Sequence, residues 1–214
     1  MIAIIDYGVG NLFSLRSSFA AIGAEAVVTS DEAVIRSCDR LILPGVGAFE
    51  DAARKLRESG LDKVVLREAS AGKPLLGICL GMQMLFQQSY EYGCHEGLGL
   101  IPGAVRPIKE VHDREGISLK IPHIGWNALS FGGKKSPLWK YIKEGDYVYF
   151  VHSFYGADCD ESVIASTEYG GTLTAAVARG NVYGTQFHPE KSGKVGLAIL
   201  RAFCEIEQGG VTEC

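Results

Sequence analysis

Two segments of this sequence carry the residue types for nucleophilic chemistry: Gly77-Ile78-Cys79-Leu80-Gly81 and Phe187-His188-Pro189-Glu190. A thiol nucleophile needs a base to take its proton, and the base needs a group to orient it. His188 supplies an imidazole that can deprotonate Cys79 and later hand the proton to a leaving amine. Glu190 reaches around Pro189 to hold the other ring nitrogen, and proline fixes φ so that the loop presents both side chains rigidly. Cys79 stands where an apolar run gives way to a helix. A nucleophile there occupies a sharp turn, and glycines on either side relieve the close backbone contacts. The helix start favours the thiolate of a group whose unperturbed pKa is about 8.5. The N–H of Leu80 is placed to receive an oxyanion. The plainer reading of Cys79 is a small buried hydrophobe, and the pairing with His188 and Glu190 argues against it.

A third segment, Leu43-Pro44-Gly45-Val46-Gly47, follows an apolar run. Glycine-rich backbone at the carboxyl end of a strand is where an open α/β sheet places its ligand. The N–H groups of Gly45, Val46 and Gly47 would there complete an oxyanion hole. Pro and Gly are equally the residues of an ordinary turn, and the sequence leaves both readings open.

These segments need a scaffold, and apolar periodicity supplies one. Ile2 to Ile5, Ala26 to Val28, Arg40 to Leu43 and Pro74 to Ile78 read as short buried strands. Leu12, Leu15, Phe19 and Ile22 form a helical stripe, Asp31 is a helix N-cap, and a helical stretch runs from Phe49 to about Ala69 with a break near Gly60. Strands alternating with helices imply parallel pairing through right-handed crossovers. After Gly93 the texture changes to closely spaced β-like runs at Ala104 to Ile108, Tyr147 to Val151, Ser162 to Thr167, Leu173 to Arg179 and Val182 to Gln186. Gly180-Asn181 is a hairpin turn, and Val195, Ala198, Ile199, Ala202 and Phe203 make a final helical face. The expectation is an α/β fold: an open, mostly parallel sheet flanked by helices, with antiparallel strands added in the C-terminal half. Residues 1–214 are expected to form a single domain.

Hydrophobic residues make up 47 % of the 214, enough for a full core, and charged residues 21 %. A net charge of -4 argues against nucleic-acid binding, which needs a basic stripe. No apolar stretch approaches the roughly 20 residues of a membrane helix, and the start of the chain reads as a strand rather than a secretory signal. Cysteines 38, 79, 94, 159, 204 and 214 show no paired spacing, so neither a zinc site nor a disulfide framework is expected, and a cytoplasmic location is the simplest. No metal or cofactor is expected.

Gly-Ile-Cys-Leu-Gly-Met-Gln (77–83), Gln-Phe-His-Pro-Glu-Lys-Ser (186–192) and the Pro-Gly-Val-Gly loop together resemble the class I, triad-type glutamine amidotransferases. Asp6-Tyr7-Gly8-Val9-Gly10-Asn11, Pro122-His123-Ile124-Gly125-Trp126-Asn127 and Tyr149-Phe150-Val151-His152-Ser153-Phe154 narrow the resemblance to the glutaminase subunits of imidazole glycerol phosphate synthases. The motifs span the chain.

The resemblance implies hydrolysis of L-glutamine through a γ-glutamyl thioester on Cys79. The ammonia would pass to a partner cyclase, a (β/α)8 barrel, in a heterodimer that makes imidazole glycerol phosphate and aminoimidazole carboxamide ribotide for histidine biosynthesis. It further implies that Gln83, one turn beyond Cys79, and Glu91, a counter-charge for the α-ammonium group, contact glutamine. The backbone of His152, Ser153 and Phe154 would line that site, and Asn11, Trp126 and Lys191 would face the cyclase. His123 and His152 lack a third metal-ligand neighbour and read as structural or interface residues. Because ammonia without an acceptor is wasted, the glycines around Val46 suggest a peptide flip that forms the oxyanion hole when the cyclase holds its ligand. Three alternatives share the same triad or fold: the glutaminase arm of anthranilate or aminodeoxychorismate synthesis, a thiol hydrolase acting alone, and a non-enzymatic binding module.

Overall fold

β1 (Ile2–Ile5) is buried at every position and divides its side chains between two cores. Ala3 and Ile5 join one apolar cluster while Ile2 and Ile4 join the other, as strand alternation requires when both faces of a sheet are covered. The computed structural model describes residues 1–207 and 209; Cys214 lies outside the described residues.

Four helix-linked strands follow the predicted order. After β1 come α1 (Leu12–Ala21), β2 (Ala26–Thr29), α2 (Glu32–Ser37), β3 (Arg40–Leu43), α3 (Phe49–Glu58), α4 (Leu61–Ser70) and β4 (Leu75–Ile78). Asp31 caps α2 by accepting the N–H groups of Ala33 and Val34. Gly60, at φ 74°, separates α3 from α4, a left-handed conformation that costs glycine little. β4 runs into Cys79 and the five-residue α5 (Leu80–Met84).

The second half holds β5 (Phe86–Ser89), β6 (His95–Glu96), β7 (Ile101–Pro107), α6 (Ile108–Glu115), β8 (His123–Ala128), β9 (Tyr147–His152), β10 (Phe154–Ala157), β11 (Val163–Glu168), β12 (Thr172–Arg179), β13 (Val182–Thr185) and α7 (Gly193–Cys204). The main sheet has the order β11-β12-β13-β4-β3-β1-β2. From β13 to β2 its pairings are parallel, and β11 and β12 extend it antiparallel. That is the expected architecture.

The remaining strands depart from the expectation of added hairpins alone. β10-β7-β5-β6 form a separate sheet that contains a parallel β5–β7 pair, and β8–β9 form a two-stranded ribbon. Ile108, read as strand, instead opens α6, because Pro107 is extended and fits the position before a helix. Gln186 falls one residue beyond β13, and Pro74 one before β4.

The parallel strands matter for their carboxyl ends. β1 ends at the Asp6–Asn11 loop, β3 at Pro44–Gly47, β4 at Cys79, and β13 at Gln186 to Glu190. Four segments distant in sequence therefore meet at one edge of the sheet.

Candidate active site

Cys79 has φ 54° and ψ -113°, an unusual conformation for a side chain with a Cβ. Its backbone is clamped: the N–H donates to the Thr185 carbonyl at 2.7 Å, and its own carbonyl accepts from Gln83 N–H at 3.1 Å. The neighbouring glycines are required by contact. A Cβ on Gly77 would lie 2.7 Å from the Gly81 carbonyl oxygen, and one on Gly81 would collide with the carbonyl of Leu43. Strain at a functional turn persists only where the surroundings over-determine it, and here three strands do so.

His188 and Glu190 are both buried, and Nδ1 of the imidazole lies 2.8 Å from the Glu190 carboxylate. Burial alone would lower the His188 pKa. The side chains of Cys79 and Glu190 outweigh it and raise the group from 6.5 to about 9. With Nδ1 held by the carboxylate, Nε2 is the nitrogen left for the thiol. The main chain of the His188 loop is fixed too, its N–H on the Tyr149 carbonyl and its carbonyl on the Ser192 hydroxyl.

The Pro44–Gly47 loop packs directly over α5. A Cβ on Gly45 would stand 2.6 Å from the Gly81 nitrogen, so this position admits only glycine. Tyr7 donates its hydroxyl to the Pro44 carbonyl at 2.6 Å from the β1 loop. Burial first, then the nearby Cys79, pushes the Tyr7 phenol well above its usual range, so it stays a donor. Gly47 takes φ 92° with open space around it, and Val46 is exposed.

A cleft of about 400 Å³ opens above these groups. It is lined by Val46, Gly47, Cys79, Leu80, Gln83, Glu91, Tyr92, Pro122, Val151, His152, Ser153, Phe154, His188 and Lys191. Nearly every residue expected to touch substrate therefore borders one space. Gly45 and Glu190 do not line it: Gly45 is buried against α5 and Glu190 lies behind the imidazole. The Phe154 carbonyl is already occupied, accepting from Gln83 Nε2 at 3.0 Å and from His152 Nδ1–H at 2.8 Å. Glu91 accepts the N–H of Phe49 at 2.7 Å.

Of the three residues expected to face a partner, Asn11 caps α1, accepting from Ser14 N–H at 3.4 Å. Trp126 is 52 % exposed on β8 beside the exposed Ile124, and Lys191 is exposed at the cleft rim. Nδ1 of His123 lies 3.0 Å from Nε2 of His152, and the Asn127 side chain stands 2.9 Å from the other ring nitrogen of His123. Among the described residues no group of three His, Cys, Asp or Glu could hold a metal ion. The cysteines described are free thiols. Among the described residues no helix is long and apolar enough to cross a membrane. Sequence reasoning missed Tyr7 and Gln186, whose contacts depend on strand register.

Comparison with known proteins decides the family. Residues 3–206 match the family described as Glutamine amidotransferase class-I. The HisH subunit of imidazole glycerol phosphate synthase from Wolinella succinogenes is 49 % identical over 96 % of this chain and all of its own length. The HisH subunit from Syntrophotalea carbinolica is 48 % identical over 95 % of this chain and 98 % of its own. The chain belongs to the class I glutamine amidotransferases, among the HisH subunits. Solved structures agree on the fold of this amidotransferase. A glutamine amidotransferase crystal structure superposes with a TM-score of 0.72 at 20 % identity, covering 96 % of this chain and 98 % of that one. PurLQS from Thermotoga maritima gives 0.71 at 20 % identity, covering 95 % and 96 %.

Proposed function

We propose that this chain hydrolyses L-glutamine at Cys79 and delivers the ammonia to the cyclase partner of an imidazole glycerol phosphate synthase in histidine biosynthesis. The observation that carries the reading is the strained Cys79 beside the buried His188–Glu190 pair, with Cys79 and His188 lining one cleft and Glu190 behind the imidazole. Relatives that share about half of its residues over nearly their whole length carry the HisH name.

His188 takes the Cys79 proton, and the sulfur attacks the carboxamide carbon of glutamine. The oxyanion that forms is met by the N–H of Leu80, which as the first residue of α5 has no intrahelical acceptor, and by the Gly45–Gly47 backbone. Removing one such donor typically costs about a hundredfold or more in kcat. The imidazolium then protonates the leaving nitrogen, the C–N bond breaks, and ammonia departs from a γ-glutamyl thioester. Water, deprotonated by His188, attacks the thioester; the C–S bond breaks, glutamate leaves, and the sulfur regains the proton. Glu190 stabilises the imidazolium at each stage.

Glu91 offers its carboxylate to the α-ammonium group of glutamine, and Gln83 its carbonyl oxygen to the N–H groups of the side-chain carboxamide. The exposed Trp126 and Ile124 on β8, with Lys191 at the rim, suit a face that docks on a (β/α)8 barrel in a cytoplasmic heterodimer. Residues 1–214 act as one domain in this reading.

The test is a glutaminase assay of wild type and Cys79→Ala, with and without cyclase and its nucleotide. Loss of activity in Cys79→Ala and stimulation of wild type by the loaded cyclase are expected. Activity surviving in Cys79→Ala would sink the assignment.

A further inference from the structure

Gln186 sits between the nucleophile and the expected glutamine-binding side chain, bonded to both. It is fully buried at the end of β13. The β13–β4 register pairs Thr185 with Ile78, so the residues that follow, Gln186 and Cys79, emerge side by side. Its backbone N–H donates to the Ala175 carbonyl at 2.8 Å, which fixes the start of the side chain.

The polarity of this chain of amides is set from one end. The Phe154 carbonyl can only accept, so Gln83 must turn its nitrogen toward it, at 3.0 Å. The second N–H of that nitrogen points at the Gln186 side chain 3.1 Å away, which must therefore present oxygen. Gln186 is left with its own nitrogen toward Cys79 Sγ, at 3.8 Å. A carboxamide has two N–H donors. Both donors of Gln83 are spent on protein, and its remaining polar atom is the carbonyl oxygen beside the cleft it lines.

We propose that Gln186 is a positioning residue with two effects on the reading given above: its N–H supports the electron-rich sulfur of Cys79, and its oxygen locks Gln83 so that only a hydrogen-bond acceptor faces the substrate. The first effect favours the nucleophile. When the thiol is protonated it can donate to the Val151 carbonyl at 3.9 Å. Once the proton leaves, that carbonyl repels the sulfur, while the Gln186 N–H becomes a charge-assisted donor. The second effect bears on specificity. A locked acceptor meets the N–H groups of glutamine and faces a carboxylate of product glutamate with like charge density, which promotes product release.

The experiment follows alkylation of Cys79 by iodoacetamide in the full chain, read peptide by peptide in mass spectra because Cys94 is exposed. Gln186→Met keeps the length and removes both the N–H donor and the amide oxygen. It should slow Cys79 alkylation at pH 7 about tenfold, the value of one hydrogen bond to a charged group. At pH 10 the two rates should converge, since hydroxide removes the proton whatever the amide does. The KM for glutamine of the variant with its cyclase should rise severalfold. Gln186→Asn, whose amide is one methylene too short to span both contacts, should shift in the same directions and serves if the methionine variant folds poorly. Equal alkylation at pH 7, or slowing by the same factor at both pH values, would overturn the proposal, the second outcome marking a packing defect. Alkylation is read without turnover, so glutaminase activity surviving in Cys79→Ala would defeat the proposed function and leave this result standing.

Discussion

The Glu91 carboxylate holds the amide N–H of Phe49 at 2.7 Å across 42 residues of sequence. Phe49 opens α3, whose N-cap, Ala48, offers no side-chain acceptor. Glu91 thus caps from outside a helix that begins directly after the Pro44–Gly47 loop. The same carboxylate is the one expected to meet the ammonium group of glutamine. Burial raises its pKa, and the Phe49 N–H works in the opposite direction.

Glu91→Ala should therefore do two things at once. Losing a helix cap costs about 1 kcal/mol, a fall of roughly 2–4 °C in Tm for a chain of this size, and the KM for glutamine should rise. Glu91→Gln keeps an acceptor for Phe49 without the charge, so it should retain Tm while KM still rises. Thermal denaturation and glutaminase kinetics on the two variants separate the effects.

The loop beside it makes a second prediction. Gly45 has no room for a Cβ, whereas Gly47 has space but a φ of 92°. Gly45→Ala should lose both stability and glutaminase activity. Gly47→Ala meets no clash and should cost about 1 kcal/mol of conformational strain. If a peptide flip forms the oxyanion hole, Gly47→Ala should alter stimulation by the loaded cyclase far more than Tm. Equal rates with and without cyclase and nucleotide in wild type would remove the flip from the account.

The pH dependence of stability carries opposite signs at two histidines. His188 is raised from 6.5 to about 9 in the fold. Its contribution is complete below about pH 6.5 and is lost as pH climbs through 9. His152 is lowered from 6.5 to about 3, by burial first and then by the neighbouring His123 and His188, against its hydrogen bond to Phe154. The unfolded chain binds a proton there that the folded chain refuses, so stability falls as pH drops from about 6.5 toward 3. Glu190→Gln should flatten the alkaline limb of a Tm–pH curve, and His152→Asn the acid limb, each from a lower starting Tm.

Much of this was legible in local sequence. Gly77, Cys79 and Gly81 announce a tight strand-to-helix turn because the constraint lies within five residues, and the alternation of β1 to β4 with helices follows from apolar spacing alone. The β5–β7–β10 sheet was not legible. Ile101–Pro107 contains two prolines and a glycine, and its pairing with β5 and β10 is decided by packing between distant segments. α6 hid in a stretch whose neighbours read as strand. Gln186 was invisible as a functional group for the same reason: its meaning comes from a register that joins positions 107 residues apart.

The far edge of the sheet offers a control that separates stability from chemistry. Lys73, at the amino end of β4 and opposite to Cys79, is buried and lies 2.8 Å from the Glu68 carboxylate. It also donates to the carbonyls of Ile35 at 3.1 Å and Arg36 at 2.9 Å, the last turn of α2. Without Lys73 the Glu68 carboxylate keeps Arg67, 3.2 Å away and half exposed. The cost therefore falls at the lower end of the 3–5 kcal/mol that breaking a buried pair takes, about 3 kcal/mol. Lys73→Met should lower Tm by roughly 10 °C, with the KM for glutamine unchanged below the transition. Adding Glu68→Leu should recover part of the loss, because the carboxylate that faced Lys73 is then gone while Arg67 keeps Glu32 at 3.0 Å. A double variant no more stable than Lys73→Met would instead place the cost in the uncapped carbonyls of α2.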